Sequence, residues 1–155
     1  MIQRIQSLFL LCVLFACIAC FFLPFWIFAG PDCAYQVNLL SVKLISGNCQ
    51  NLIVGTIPLI VLVSISSILS VISIFYYKNR LLQIRLNNFN LLFTLIFIAT
   101  IYFLIPYMIE EQSPNLNDIW QFGLILPLFS LIFLILANRF IKKDEKLVRS
   151  ADRLR

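Results

Sequence analysis

Four long apolar runs divide the chain, at about 7–28, 53–77, 89–109 and 119–137. None of them contains Asp, Glu, Lys, Arg or His, and each provides roughly the 20 residues that a helix needs to cross a bilayer. Because the hydrocarbon offers backbone groups no hydrogen-bonding partner, isolated runs of this length form helices. The pattern therefore predicts four transmembrane helices.

Composition agrees with this interpretation. Hydrophobic residues make up 61% of the 155 residues and charged residues only 12%, whereas soluble domains average about 45–50% and about 25%. Four spans use about half of the chain and leave little for a separate soluble domain. We therefore predict an all-α membrane protein, a four-transmembrane-helix bundle forming a single membrane domain over 1–155.

Charge predicts how the chain is threaded. The segment 78–88 carries three cations and no anion between two apolar runs. If it is a loop on the side of both termini, every Lys and Arg lies on that side except Lys43. Since positive charge is retained in the cytoplasm, we expect a cytoplasmic loop at 78–88, a cytoplasmic tail at 138–155 and both termini in the cytoplasm.

The outer loop, 29–52, shows a pattern typical of short strands. Tyr35, Val37 and Leu39 alternate with polar residues, and 46–48 has turn composition, so a strand or hairpin is expected over the bundle. Cys33 and Cys49 lie at opposite ends of this loop. They are either a disulfide pair or two free thiols, because one sequence does not determine connectivity.

Small residues recur at helical spacing in three of the spans. In membranes such faces allow helices to approach closely and form hydrogen bonds, and we favour this packing role over a thiolate metal site or a polar transport path. The residues are Cys12, Ala16 and Cys20 in the first span, Ser66, Ser70 and Ser73 in the second, and Gly123, Pro127 and Ser130 in the fourth.

Chemistry-bearing patterns are absent from the sequence. It has no His, no acidic or basic residue inside a span, and no Gly-rich phosphate loop. Membrane-embedded charges usually mark proton and ion pathways, so a pump is disfavoured. We predict a protein that is not an enzyme, with no catalytic residues, no cofactor and no metal.

The tail, 138–155, is predicted to form a cytoplasmic amphipathic helix. It has no Gly or Pro, its apolar residues fall on one helical face, and seven cations accompany three anions. Such a helix can anchor the last span, contact anionic lipid headgroups or dock on an acidic protein. Nothing in the sequence directly indicates nucleic acid.

Three segments carry a family resemblance: Met1-Ile2-Gln3-Arg4-Ile5-Gln6, the central run KNRLLQIRL from Lys78, and the ending LANRFIKKDEKLVRSADRLR from Leu136. Together they resemble a bacterial family of small four-helix inner-membrane proteins catalogued as a domain of unknown function. The resemblance covers the whole chain. It implies a multi-pass protein of the bacterial inner membrane and supplies no activity.

All three segments lie on the expected cytoplasmic face. Our hypothesis is an accessory or assembly subunit of a larger inner-membrane protein complex, in contact with the lipid bilayer and with membrane protein partners. The alternative is a small transporter or channel. The candidate docking residues are Arg4, Lys78, Arg80, Arg85, Arg139 and Arg149.

Reporter fusions test the threading. Alkaline phosphatase, which is active only outside the cytoplasm, should be active when fused after Lys43 and inactive when fused after Arg85. The reverse pattern of activity would contradict the predicted orientation.

Overall fold

The computed structural model describes residues 5–31, 33–47, 55–76, 79–112 and 116–153. Five helices and four strands follow one another along these residues. The helices are α1 (Ile5–Ala19), α2 (Ile57–Phe75), α3 (Arg80–Ala99), α4 (Ile105–Gln112) and α5 (Ile125–Arg153). The strands are β1 (Trp26–Ala29), β2 (Ala34–Val37), β3 (Val42–Ser46) and β4 (Asn117–Trp120).

The prediction of an all-α fold is wrong. The four strands form one antiparallel sheet in the order β3-β2-β1-β4. The central strand β1 pairs Trp26 with Val37 on one side and with Trp120 on the other. The sheet thus joins residues near the end of the first apolar run to residues at the start of the fourth.

Pro24 explains why the first run does not stay helical throughout. Helix α1 ends at Ala19, and Phe22 and Leu23 still bond back to the Ala19 carbonyl. Proline cannot donate to a helix, and the aromatic and β-branched residues that follow favour a strand. The remaining helix of 15 residues is about 22 Å long, shorter than the roughly 30 Å hydrocarbon core.

Three longer helical stretches have the length and apolar composition to cross a membrane: Ile57–Phe75, Arg80–Glu111 and Phe122–Lys146. Helices α1, α2, α3 and α5 form one packed group, which we call the helical body. In it α1 packs against α2 and α5, and α3 packs against the same two helices. The predicted loop at 78–88 is helical from Arg80 onward. The predicted tail continues α5 without a break as far as Arg153.

The sheet packs one face against the helices. Trp26 and Phe28 of β1 and Tyr35 and Val37 of β2 are all buried, in strict alternation with half-buried neighbours. They form one hydrophobic core with buried residues of α1, α2, α3 and α5. The sheet is therefore part of the folded body.

Two close contacts connect the sheet region to the segments that precede α2 and α5. Thr56, just before α2, donates its hydroxyl to the Leu40 carbonyl at 2.9 Å. Gly123, in the 3-10 turn before α5, lies so close to the Pro24 carbonyl that an added Cβ would come within 2.2 Å of its oxygen. Only glycine fits there without a shift of the backbone.

A π-helical segment, Thr100–Leu104, joins α3 to α4. Within it the N–H of Ile105 bonds to the Thr100 carbonyl, five residues back. In that register the Ile101 carbonyl would receive the N–H of residue 106, which is a proline and has none. The indole Nε1–H of Trp26 donates to this carbonyl instead, at 3.0 Å.

Replacing the indole tests this contact. Trp26→Phe keeps an aromatic ring but removes the donor and leaves the buried Ile101 carbonyl unpaired. Such a loss costs about 1–3 kcal/mol, and we expect a decrease of that size in the free energy of unfolding, measured by unfolding the purified protein from mild detergent into SDS.

The control is the same substitution in a Pro106→Ala background, which returns a backbone N–H at that position. There Trp26→Phe should cost less, because the helix can supply its own donor. An equal cost in both backgrounds would contradict the proposed role of the indole.

Candidate functional site

One face of α3 is polar and buried. Gln83, Asn87, Asn90 and Thr94 follow one another at spacings of four, three and four residues, which places them on a single helical face. Each is at most 4% exposed. We call these four residues the amide face.

The amide face meets the serines of α2. Ser66 donates to Asn90 Oδ1 at 2.6 Å, and Asn90 Nδ2 donates to Ser70 Oγ at 2.8 Å. Ser73 donates to Asn87 Oδ1 at 2.8 Å. The predicted serine face is thus filled by side chains of α3.

Gln83 and Cys17 extend the network at its two ends. Gln83 donates to the backbone carbonyl of Ser73 at 3.1 Å, and the Cys17 thiol points at Ser66 Oγ at 3.7 Å. Two atoms have no partner among the described residues, Asn87 Nδ2 and Asn138 Oδ1. The network therefore ties α1, α2 and α3 together without satisfying every buried polar atom.

A small void lies beside this network, lined in part by Cys17, Cys20, Ser66, Thr94 and Ser130. Its volume is about 10 Å³, about the lower limit for a single water molecule. Most of its lining is apolar. The void, as the described residues form it, is too small to hold a transported solute.

The predicted small-residue faces lie at helix contacts to different degrees. Ala16 and Cys20 are buried, whereas Cys12 is only half-buried. Gly123 approaches Pro24 as described above, and Ser130 is buried with its hydroxyl bonded to the Leu126 carbonyl at 3.0 Å. These contacts are intramolecular.

Cys33 is disulfide-bonded. Cys49, the candidate partner from the sequence, lies outside the described residues, so the structure does not test this pairing. Within the described part of the chain, no three His, Cys, Asp or Glu residues are grouped as a metal site would require.

The three basic segments meet around Asp144 of α5. The Gln6 side-chain amide donates to the Asp144 carboxylate, and the Arg80 guanidinium donates to the Asp144 backbone carbonyl at 2.9 Å. These contacts join the starts of α1 and α3 to the tail. We call them the Asp144 junction.

Around this junction the candidate docking residues are placed differently. Arg80 is half-buried, while Arg85 and Arg139 are exposed. Arg149 lies in α5, but its side chain is not among those described. Arg4 and Lys78 lie outside the described residues.

A family model described as a domain of unknown function matches residues 2–154. The chain belongs to the DUF4293 family. This confirms the resemblance seen in the three basic segments. No curated protein and no solved structure matches the chain.

Sequence reasoning missed the polar partners in this DUF4293 chain. The spacing of Gln83, Asn87 and Asn90 was available as a signal, but their proximity to Lys78 and Arg85 placed the first two in a predicted loop. Nothing comparable identifies Asp144, because its contacts with Gln6 and Arg80 join distant parts of the chain.

A double-mutant cycle measures the Ser66–Asn90 contact. Hydrogen bonds between membrane helices contribute about 0.6 kcal/mol on average and about 1.7 kcal/mol at most. Ser66→Ala and Asn90→Ala should therefore show a coupling energy of about 0.5–1.7 kcal/mol in unfolding free energies measured in SDS.

Ser67 provides the matched control, since its hydroxyl bonds within its own helix, to the Ser64 carbonyl at 2.8 Å. Ser67→Ala and Asn90→Ala should be additive. Additivity of the Ser66 pair as well would show that the buried contact carries no net energy.

Proposed function

We propose that this DUF4293 protein is a multi-pass protein of the bacterial inner membrane and a non-catalytic accessory or assembly subunit of a larger membrane complex. It docks on its partner through the basic cytoplasmic surface at the Asp144 junction. The observation that carries the proposal is the convergence of three basic segments, distant in sequence, at one end of the helical body.

The rigidity of this surface supports a docking role. Arg80 and Asp144 are connected directly, and Phe140 of α5 stacks on Phe9 of α1 with ring centroids 5.5 Å apart. Cations held on packed helices lose less conformational entropy on binding than cations on a free tail. The exposed Arg85 and Arg139 are therefore presented in a preformed arrangement.

Orientation follows from the positive-inside rule. The described cations of α3 and the end of α5 lie at the Asp144 junction, whereas Lys43 lies on β3 of the sheet, beyond the opposite end of α3 and α5. We place the junction in the cytoplasm with both termini, and the sheet on the outer side.

The contacts of the serine face weigh against the alternative of a transporter or channel. A polar path along Ser66, Ser70 and Ser73 needs hydroxyls that face water, but these three are buried and bonded to Asn87 and Asn90 or to their own helix. The void beside them has a volume of about 10 Å³. The accessory role is therefore the better supported of the two.

Charge reversal tests the docking surface. We expect a protein that copurifies stoichiometrically with the native chain from mild detergent to be lost, by about tenfold or more, with Arg85→Glu. Tenfold corresponds to about 1.4 kcal/mol of binding free energy. Quantitative mass spectrometry of the copurified material gives the ratio.

Lys43→Glu is the matched control, because it reverses an exposed cation on the sheet and should leave the partner bound. Recovery of the partner unchanged by Arg85→Glu would argue against docking at this surface. Equal loss with Arg85→Glu and Lys43→Glu would indicate a general effect of charge.

A further inference from the structure

One exposed stripe runs along α5 and changes character part-way. Its residues recur at alternating spacings of four and three, which keeps them on one helical face. They are Leu128, Ile132, Ile135, Arg139, Lys142 and Lys146. The first three are apolar and the last three are cations, and we call this set the α5 stripe.

The α5 stripe faces away from the protein. Its apolar members are 42–49% exposed, and Arg139, Lys142 and Lys146 are exposed as well. The opposite face of the same helix carries Leu134, Ala137 and Ile141, all at 0% exposure. The apolar half of the stripe is not covered by this chain and suits contact with lipid, and the cations continue the same face.

The helix rise places the cations at headgroup depth. With the edge of the hydrocarbon core taken at Ile135, the last apolar residue of the stripe, Arg139 and Lys142 lie about 6 and 10 Å beyond it along the axis. The headgroup region extends roughly 5–8 Å beyond each side of the hydrocarbon core. Long cationic side chains can adjust their ends towards this layer, so both charges reach the level of the phosphates.

The acidic residues of this part of α5 lie on another face. Asp144 and Glu145 are half-buried, and the Asp144 carboxylate accepts the Gln6 amide. The Asp144 carboxylate is therefore directed towards the protein, whereas the cations of the stripe face away from it. The tail retains its positive charge on the side that meets the headgroups.

We propose that the cationic half of the α5 stripe is a binding site for anionic phospholipid headgroups in the cytoplasmic leaflet. Arg139 and Lys142 bind the lipid phosphate, and Lys146 adds attraction from the edge of the headgroup layer. The site gives the protein a shell of anionic lipid on one side. Unlike the docking proposal, it needs no protein partner.

The experiment uses the full-length protein in phosphatidylcholine vesicles. Spin-labelled phosphatidylglycerol or phosphatidylcholine is added in trace amounts, and electron paramagnetic resonance measures the fraction of each label held at the protein. Each cation near an anionic surface contributes up to about fivefold in association. We expect the native protein to hold the anionic lipid several-fold more strongly than the neutral one at low salt.

Arg139→Gln and Lys142→Gln should each reduce this preference, and the double variant should bring the ratio close to one. Lys43→Gln, on the sheet, is the single-charge control and should keep the native ratio. In 1 M salt, where the screening length is about 3 Å, the native preference should also fall. Because all of these side chains are exposed, we expect each variant to unfold at the native temperature.

Equal binding of the two lipids by the native protein would overturn the proposal. So would an unchanged ratio in the double variant, or an equal loss with Lys43→Gln. If the double variant does not fold, Lys142→Gln/Lys146→Gln takes its place with the same expected loss. The vesicles contain no other protein, so these results are independent of partner docking.

Discussion

The hydrogen bond from Trp26 to the Ile101 carbonyl is the contact on which the architecture depends. A carbonyl buried in an apolar environment has no water to bond and needs a donor from the protein, and Pro106 removes the backbone donor that the π register requires. The donor comes from β1, which must therefore lie against the π-helical segment. Once β1 is held there, β2 and β4 pair on its two sides, so that the sheet joins segments distant in sequence.

The same requirement shapes the interior between α2 and α3. Asn87 and Asn90 are too polar to face hydrocarbon, and Ser66, Ser70 and Ser73 are small enough to let the helices approach while supplying hydroxyls. The asparagines and the serines thus supply the hydrogen bonds that allow each other to be buried. The unpaired Asn87 Nδ2 shows that this matching is incomplete.

Hydropathy identified the long helices but not the sheet. The residues Trp26–Ala29 are as apolar as the helix before them, so their strand character depends on Pro24 and on pairing with β2 and β4, the latter from the far end of the chain. The β2–β3 segment had an alternating pattern of its own and was expected. The amide face was not predicted, because its first two residues lie close in sequence to cations and were assigned to a solvated loop. That segment is helical, and one of its faces is buried.

The length and packing of α5 determine where its charged side chains lie. Its 29 residues form one unbroken helix about 43 Å long, which is longer than a hydrocarbon core of roughly 30 Å. Packing of Phe140 and Ile141 against the body fixes the rotation of these turns. That rotation directs Asp144 inward and Arg139 outward. Opposite charges that are close in sequence therefore lie on different sides of the helix. The basic end of α5 is thereby divided into an inner part that joins the three segments and an outer part whose cations face away from the protein.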